Sequence, residues 1–260
     1  MRPNDLLHPR VLIEKVAARS VRRRRLGKLR GTIAANLLTG HIDSLELLEI
    51  ARRWQPSVIY DIGANVGTWT RLARAVLPHT QLHAFEPLPE HIARFRHELH
   101  DVPNIVLHPV ALGATAGVAA FHVVSFSDAS SFLPLSTAGV SEWQFAEQRT
   151  ESLPLVPLDD HVQSAGIPLP DLLKLDVQGF EVEVLKGATA CLAHACAVIT
   201  EVSFVEYYEG QPLFADLVTF LNERGFVPHA FGVQTAVGRP IGQTDVLFVA
   251  RKHLPSEASF

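Results

Sequence analysis

The chain is predicted to be an α/β protein built on a mostly parallel sheet with helices on both faces. Three observations predict it. From Val58 onward, short apolar runs of strand length alternate with stretches of helical periodicity, the pattern of βα units whose strands are buried on both sides. The first of these runs, Val58-Ile59-Tyr60-Asp61-Ile62, breaks into the glycine-containing turn Gly63-Ala64-Asn65-Val66-Gly67 ahead of a helical stretch. Near the end, two β-like runs at 226–233 and 245–251 flank a Gly/Pro-containing segment. Such a pair adds an antiparallel hairpin to one edge of the sheet.

Taken in order, residues 8–38 read as helical, with Val11, Leu12, Val16, Val21 and Leu26 set among basic residues. A second helix is expected over 44–53, with Asp43 or Ser44 at its N-cap. Gln55-Pro56-Ser57 closes this helical extension, so the chain divides into 1–55 and 56–260. Strands are expected at 58–62, 81–86, 104–108, 171–176 and 196–202, and helices at 67–77, 89–100, 179–193 and 212–224. Two runs, 117–124 and 153–158, depart from the alternation and read as extra strands around a Ser-rich loop, 125–150.

The composition sets bounds. With 260 residues, 47% of them hydrophobic, the chain buries a sizeable core and is not disordered as a whole. No run approaches the roughly 18 to 20 apolar residues that span a bilayer. The two cysteines, Cys191 and Cys196, sit in an apolar stretch and read as buried thiols rather than as a disulfide or zinc pair. The N-terminus lacks an apolar segment with a cleavage site, and a reducing cytoplasm is the expected compartment. Charge is uneven. Residues 1–30 carry ten Lys/Arg against two Asp/Glu, and the remainder thirteen against twenty-five. The basic head suits contact with nucleic acid, anionic lipid or an acidic carrier, or a solvated helix face lying on an acidic body. The second reading is preferred, because the run Arg22 to Arg25 carries much of the signal.

The chemistry concentrates at the strand ends. Asp61 followed by Gly63 and Gly67 gives a tight turn, close backbone approach and a helix N-terminus with unpaired amides. It is not GxGxxG, since Asn65 stands at the second glycine position, and it has no Lys-Ser/Thr ending. Glu86, in Phe85-Glu86-Pro87, closes the next strand, where an acid accepts hydrogen bonds from ribose hydroxyls. Turn and acid together point to a nucleoside ligand.

With those residues in place, the sequence resembles a class I S-adenosylmethionine-dependent methyltransferase, and the FkbM family in particular. The resemblance rests on Asp61 to Gly67, Phe85-Glu86-Pro87, Pro109 to Gly113, Asp128 to Ser131, Leu158-Asp159-Asp160, Leu173 to Glu181 and Val184 to Ala188. It covers about 56–250 in order and omits the basic N-terminal residues. It implies a doubly wound seven-stranded sheet with an antiparallel last strand. It also implies bound S-adenosylmethionine, released as S-adenosylhomocysteine. Asp61, Gly63, Ala64, Asn65 and Gly67 would hold the methionine part, Glu86 and Pro87 the ribose side, and Ala111 the adenine, with Ser130 or Ser131 near cofactor or acceptor. The implied activity is methyl transfer to a hydroxyl of a sugar or secondary metabolite, a small-molecule acceptor either free or carrier-bound.

Transfer to a hydroxyl needs an in-line acceptor and a proton sink. Lys174 and Asp176 lie two apart and so share one strand face, at the end where α/β proteins bind ligands. Asp176 is the leading catalytic candidate. A desolvated Lys174 is a second candidate base, and Glu201, ending the neighbouring strand, a third. Asp176 and Glu201 as Mg2+ ligands is a thinner possibility. His108, His161 and His229 are further candidate bases. Phe204, Tyr207, Tyr208, Trp143 and Phe145 are candidate acceptor contacts. An NAD-type oxidoreductase is disfavoured by the missing GxGxxG. Nucleic-acid methylation is disfavoured because no Asn/Asp-Pro-Pro-Tyr/Phe run is present. A non-catalytic binding module is disfavoured by the intact cofactor residues. Two readings of the N-terminal segment stay open, closure over the active site and mediation of a homodimer.

Overall fold

The computed structural model describes residues 17, 20–21, 23–37, 42–232 and 241–254. A seven-stranded sheet runs in the order β3-β2-β1-β7-β8-β10-β9. Its strands are β1 (Val58–Ile62), β2 (Gln81–Phe85), β3 (Ile105–His108), β7 (Leu172–Leu175), β8 (Ala197–Ser203), β9 (Phe226–Phe231) and β10 (Gln243–Ala250). Only β10 runs against its neighbours, pairing antiparallel with both β8 and β9. A separate sheet, β4-β6-β5, joins β4 (Ala111–Leu112), β5 (Gly117–Val124) and β6 (Glu147–Val156).

Alternation along each strand sorts the core into two faces. On one face Ile59, Leu172, Ile199 and Leu247 meet α1 (Ile42–Ala51) and α2 (Thr68–Val76) through Leu45, Leu47, Leu48, Trp69 and Leu72. On the other, Tyr60, Leu173, Val198 and Val246 meet α5 (Leu158–Ala165), α6 (Glu181–Lys186), α7 (Thr189–His194) and α8 (Phe214–Glu223). The remaining helices are α3 (Pro89–Leu99) and α4 (Thr137–Trp143). On the first face, a charged residue follows the core residue two positions nearer the carboxyl end of the sheet. These are Asp61 on β1, Lys174 on β7, Glu201 on β8 and, reading β10 backwards, Asp245. Asp61 pairs in register with Lys174, and Glu201 with Asp245.

Several expectations need correcting. The helix predicted over 8–38 stops early. Among the described residues it gives way to a 3-10 turn at Gly27–Leu29 and then to turns; residues 1–16 lie outside the described ones. Arg25 pairs with Glu46, and Lys28 Nζ lies 3.1 Å from Glu49, so part of the basic head rests on α1. Ser44 is inside α1 rather than at its N-cap, and its hydroxyl donates to Asp245 Oδ2 at 3.0 Å; the side chain of Asp43 lies outside the described residues. The helix predicted over 179–193 is split into α6 and α7 at Gly187, where a Cβ would stand 2.3 Å from the Gly113 carbonyl oxygen. The 153–158 strand begins ten residues long at Glu147, because its exposed half pairs with β5. A helix, α5, then starts at Leu158. Its Asp159 accepts from Ala190 N (2.7 Å) and Cys191 N (3.1 Å) and so caps α7.

Burial creates one unusual polar group. His83 Nδ1 and His108 Nε2 lie 2.9 Å apart, and His108 Nδ1 and His161 Nε2 lie 3.1 Å apart. Desolvation, reinforced by the neighbouring imidazoles, pushes His83 and His108 down to about 4. An unfolded histidine titrates near 6.5. These rings therefore contribute stability that is present above about pH 6.5 and lost as pH falls towards 4. The Glu181 carboxyl, pushed up to about 7 by burial, acts in the opposite sense across that window, so the rings are best observed directly. At pH 5.5 the imidazole C–H resonances of His83 and His108 should be those of neutral rings. Protonated rings in folded protein at that pH would contradict the assignment.

Candidate active site

The carboxyl ends of β1, β2 and β7 open into a cavity of about 430 Å3. It lies where the strand order turns from β1 to β7, the switch point at which open α/β sheets bind ligands. Of the residues singled out in the sequence, Gly63, Ala64, Asn65, Glu86, Pro87, Ala111, Lys174 and Asp176 line it. Asp61, Gly67, Ser131 and Glu201 do not. Ser130 takes the place expected of Ser131, whose hydroxyl is turned away and donates to the Gln178 carbonyl at 2.6 Å.

Glu86 is fixed from three sides. Its Oε2 accepts from Asn65 N at 2.9 Å, and its Oε1 accepts from Leu88 N at 3.0 Å and meets His91 Nδ1 at 3.1 Å. A carboxylate has about four acceptor sites, so one remains on Oε2 for a ligand hydroxyl. Asn65 donates from Nδ2 to Asp128 Oδ1 at 2.9 Å, while its buried Oδ1 has no hydrogen-bond partner among the described residues. A free acceptor beside the turn and a carboxylate at the next strand end match the ammonium and the ribose of a nucleoside that carries a free amino-acid group. Val110, Ala111, Leu112, Phe121 and Phe132 supply an apolar wall. The residues present thus fit S-adenosylmethionine.

Asp61 works from behind the lining. Fully buried, it accepts from Thr70 Oγ1 at 2.5 Å and lies 3.1 Å from Lys174 Nζ. Lys174 is also 3.7 Å from Asp176 Oδ2. Burial alone pulls the lysine down, but Asp61 and Asp176 outweigh it and hold the ammonium above the ordinary lysine range. That environment is the reverse of what the expected lysine base requires, so Lys174 stays charged.

Asp176 is the exposed member of the group, with its side chain 44% accessible. Gln178 organises it. The Gln178 amide donates to Asp176 Oδ1 at 2.6 Å and to Glu201 Oε2 at 3.4 Å, while its Oε1 accepts from Tyr208 OH at 2.8 Å. Burial, then Asp176 and Asp245, push Glu201 well above the usual carboxylate range. Asp176 and Glu201 are joined by an amide. Among the described residues, no three His, Cys, Asp or Glu side chains converge as metal ligands.

The histidines and aromatics sit elsewhere than expected. His108 and His161 belong to the buried chain, and His229 packs edge-on against Trp54. Trp143 stacks on Tyr207 at 4.5 Å, Phe204 stacks on Phe214 at 5.1 Å, and Tyr208 is buried. None of these, nor Phe145, lines the cavity; its aromatics are Trp69, Phe85, Phe121, Phe132 and Phe180. Sequence reasoning missed Gln178, which adopts a left-handed φ of 54°, and Trp69, which reads as ordinary core.

A family model for the methyltransferase FkbM domain matches residues 61–228, the segment that supplies every cavity-lining residue except Ser44. The chain belongs to the FkbM methyltransferase family. It is therefore placed among S-adenosylmethionine-dependent methyltransferases. Among its relatives, the 2-O-methyltransferase NoeI of Sinorhizobium fredii is 34% identical over 62% of this chain and 69% of that protein. The hexuronic acid methyltransferase AglP of Haloferax volcanii is 28% identical over 64% of this chain and 63% of its own length. The match thus spans just under to just over two thirds of these two relatives. The 31-O-demethyl-FK506 methyltransferase FkbM of Streptomyces tacrolimicus is 30% identical over 65% and 72%. Among solved structures, the magnesium protoporphyrin IX methyltransferase of Synechocystis, determined with S-adenosylmethionine bound, is 12% identical over 82% and 84%, with a TM-score of 0.44.

Proposed function

We propose that this FkbM-family chain transfers a methyl group from S-adenosylmethionine to a hydroxyl of a sugar or secondary-metabolite scaffold, with Asp176 taking the proton. The observation that carries this reading is a half-exposed carboxylate at the cavity edge, beside a lysine paired with Asp61 and a glutamate that does not line the cavity. The names of the three relatives, two of them O-methyltransferases by name and one acting on a hexuronic acid, support the acceptor class. The cofactor supplies an activated methyl group on a sulfonium centre. The chain must then hold the acceptor oxygen in line and accept its proton. Gln178 fixes Asp176 Oδ1 and leaves Oδ2 towards the cavity and Lys174. Lys174 offsets the charge of Asp61 and Asp176, and Glu201 accepts from Gln178. No divalent metal is part of this proposal. Among the described residues no helix is long and apolar enough to cross a membrane. Both cysteines are free and buried, which suits a reducing, cytoplasmic setting.

Calorimetric titration with S-adenosylmethionine tests the cofactor half. Wild-type protein should bind, and Glu86→Ala should weaken binding by about tenfold or more, the cost of losing a charge-assisted hydrogen bond. Transfer of label to a panel of glycosides, uronates and polyketides tests the acceptor half. Absence of binding by folded wild-type protein would overturn the reading.

A further inference from the structure

Three chain segments meet at one buried phenol behind the cavity. The Tyr208 hydroxyl lies 2.8 Å from Gln178 Oε1 and 2.9 Å from the Ala129 carbonyl oxygen. Burial first, then the carboxyl groups of Glu201, Asp176 and Glu181, push this hydroxyl above the ordinary phenol range, so it remains a donor. The backbone around it is stitched together. Ser136 N donates to Tyr207 O and Glu209 N to Pro134 O, both at 2.9 Å. Gln211 Oε1 accepts from the Tyr207 and Tyr208 amides at 2.6 and 2.7 Å. The ring is thus held in place, and its O–H keeps a fixed direction.

That direction matters because a glutamine amide has two orientations of nearly equal shape. In the observed one, Nε2 stands 2.6 Å from Asp176 Oδ1 and 3.4 Å from Glu201 Oε2, and Oε1 receives the Tyr208 hydroxyl. The reverse orientation would set the amide oxygen against Asp176 Oδ1, two acceptors with no hydrogen between them when the carboxylate is ionised. It would also bring the NH2 group to the Tyr208 hydroxyl, whose one hydrogen would then turn to Ala129. The observed orientation is therefore favoured from both ends, by the carboxylate and by the phenol. The Ser131 hydroxyl holds the Gln178 backbone carbonyl at 2.6 Å but does not touch the amide, so the choice of orientation rests with Tyr208 and the carboxyl groups.

We propose that Tyr208 is a positioning residue, whose hydroxyl orients the Gln178 amide so that Nε2 holds Asp176 for the acceptor's proton. This rests on the reading of Asp176 as the base and adds to it a residue that does not line the cavity. Its second acceptor, Ala129, precedes Ser130, which lines the wall with Phe132. One hydroxyl thus links the support of the carboxylate to the loop that shapes the cavity.

Tyr208→Phe keeps the ring and removes the hydroxyl. With a glycoside, uronate or polyketide that takes label in the panel above as acceptor, the variant should lose about tenfold in kcat, the scale of one oriented hydrogen bond. KM for that acceptor and affinity for S-adenosylhomocysteine should stay within about twofold. Added to Gln178→Met, Tyr208→Phe should lower kcat no further, because a residue that acts only through another contributes nothing once the other is gone. A second reading needs no acceptor. In 15N-labelled wild-type protein, one Gln178 Nε2 proton, identified by its absence from Gln178→Met, should stand downfield of the ordinary side-chain amides. It should return towards them in Tyr208→Phe. A wild-type resonance in the ordinary range would overturn the proposal, and that result needs no variant at 208 to fold. So would a resonance left in place by Tyr208→Phe, or losses in kcat that add in the double variant. A resonance that moves as expected, beside full turnover in Asp176→Asn, would instead remove the reading of Asp176 as the base.

Discussion

Asp176→Asn should reduce kcat by about a hundredfold to ten-thousandfold, the range for losing a positioned general base, while the affinity for S-adenosylhomocysteine stays within about twofold. The substitution is nearly isosteric. Its carbonyl oxygen can still accept from Gln178 Nε2, which now sits 2.6 Å from Oδ1, so the turn that carries it keeps its shape. What disappears is the basic oxygen facing the cavity and one of the two charges that hold Lys174. Turnover near the wild-type level would remove Asp176 from the chemistry. A parallel fall in cofactor affinity would show that the residue shapes the cavity instead. Glu201→Gln provides the control, because Glu201 does not line the cavity and an amide of the same shape can still accept from Gln178.

Gly63→Ala should cost about 3–5 kcal/mol of folding stability, through overpacking and a strained backbone together. Gly63 has a φ of 77°, and a Cβ there would stand 2.0 Å from the Asp176 carbonyl oxygen. Neither neighbour can yield cheaply. The Asp176 amide donates to Ile62 O at 3.0 Å, and the Gly63 amide donates to Phe85 O at 3.0 Å, so moving either strand end opens the ladder. Urea unfolding should show a lowered midpoint. Residual folded protein should bind S-adenosylmethionine weakly, since Asn65 and Asp176 would be displaced together. Wild-type stability would mean that the turn relaxes more freely than its contacts indicate.

Much of this was legible in the sequence. Buried parallel strands advertise themselves as apolar runs, so β1, β2, β7 and β8 were found within about two residues. The turn after Asp61, the acid at Glu86 and the Lys174–Asp176 spacing located the cavity. What escaped depends on contacts that spacing does not encode. The split at Gly187 reflects the approach of Gly113, seventy-four residues earlier. The first half of β6 is exposed and polar, so its strand character comes from pairing with β5. Lys174 looked like a base because its burial was foreseeable and its ion pair with Asp61 across the β1–β7 ladder was not. Gln178 has no chemistry of its own in the sequence; its importance arises from a left-handed turn that aims one amide at three partners. Trp69 and Trp143 are alike as letters, yet one borders the cavity and the other stacks on Tyr207.

The placement of core and charge on the same face of the same strands limits how such a protein can diverge. Ile59 and Asp61, Leu172 and Lys174, Ile199 and Glu201 are paired by a period of two. A single-residue insertion or deletion between the two members of such a pair would turn one of them to the opposite face of the sheet, away from its partner. Point substitutions can then be tried one at a time, but strand length cannot. Descendants that take new acceptors should therefore record their history as length changes between β5 and β6 or after β8, with β1, β7 and β8 retaining their residue counts.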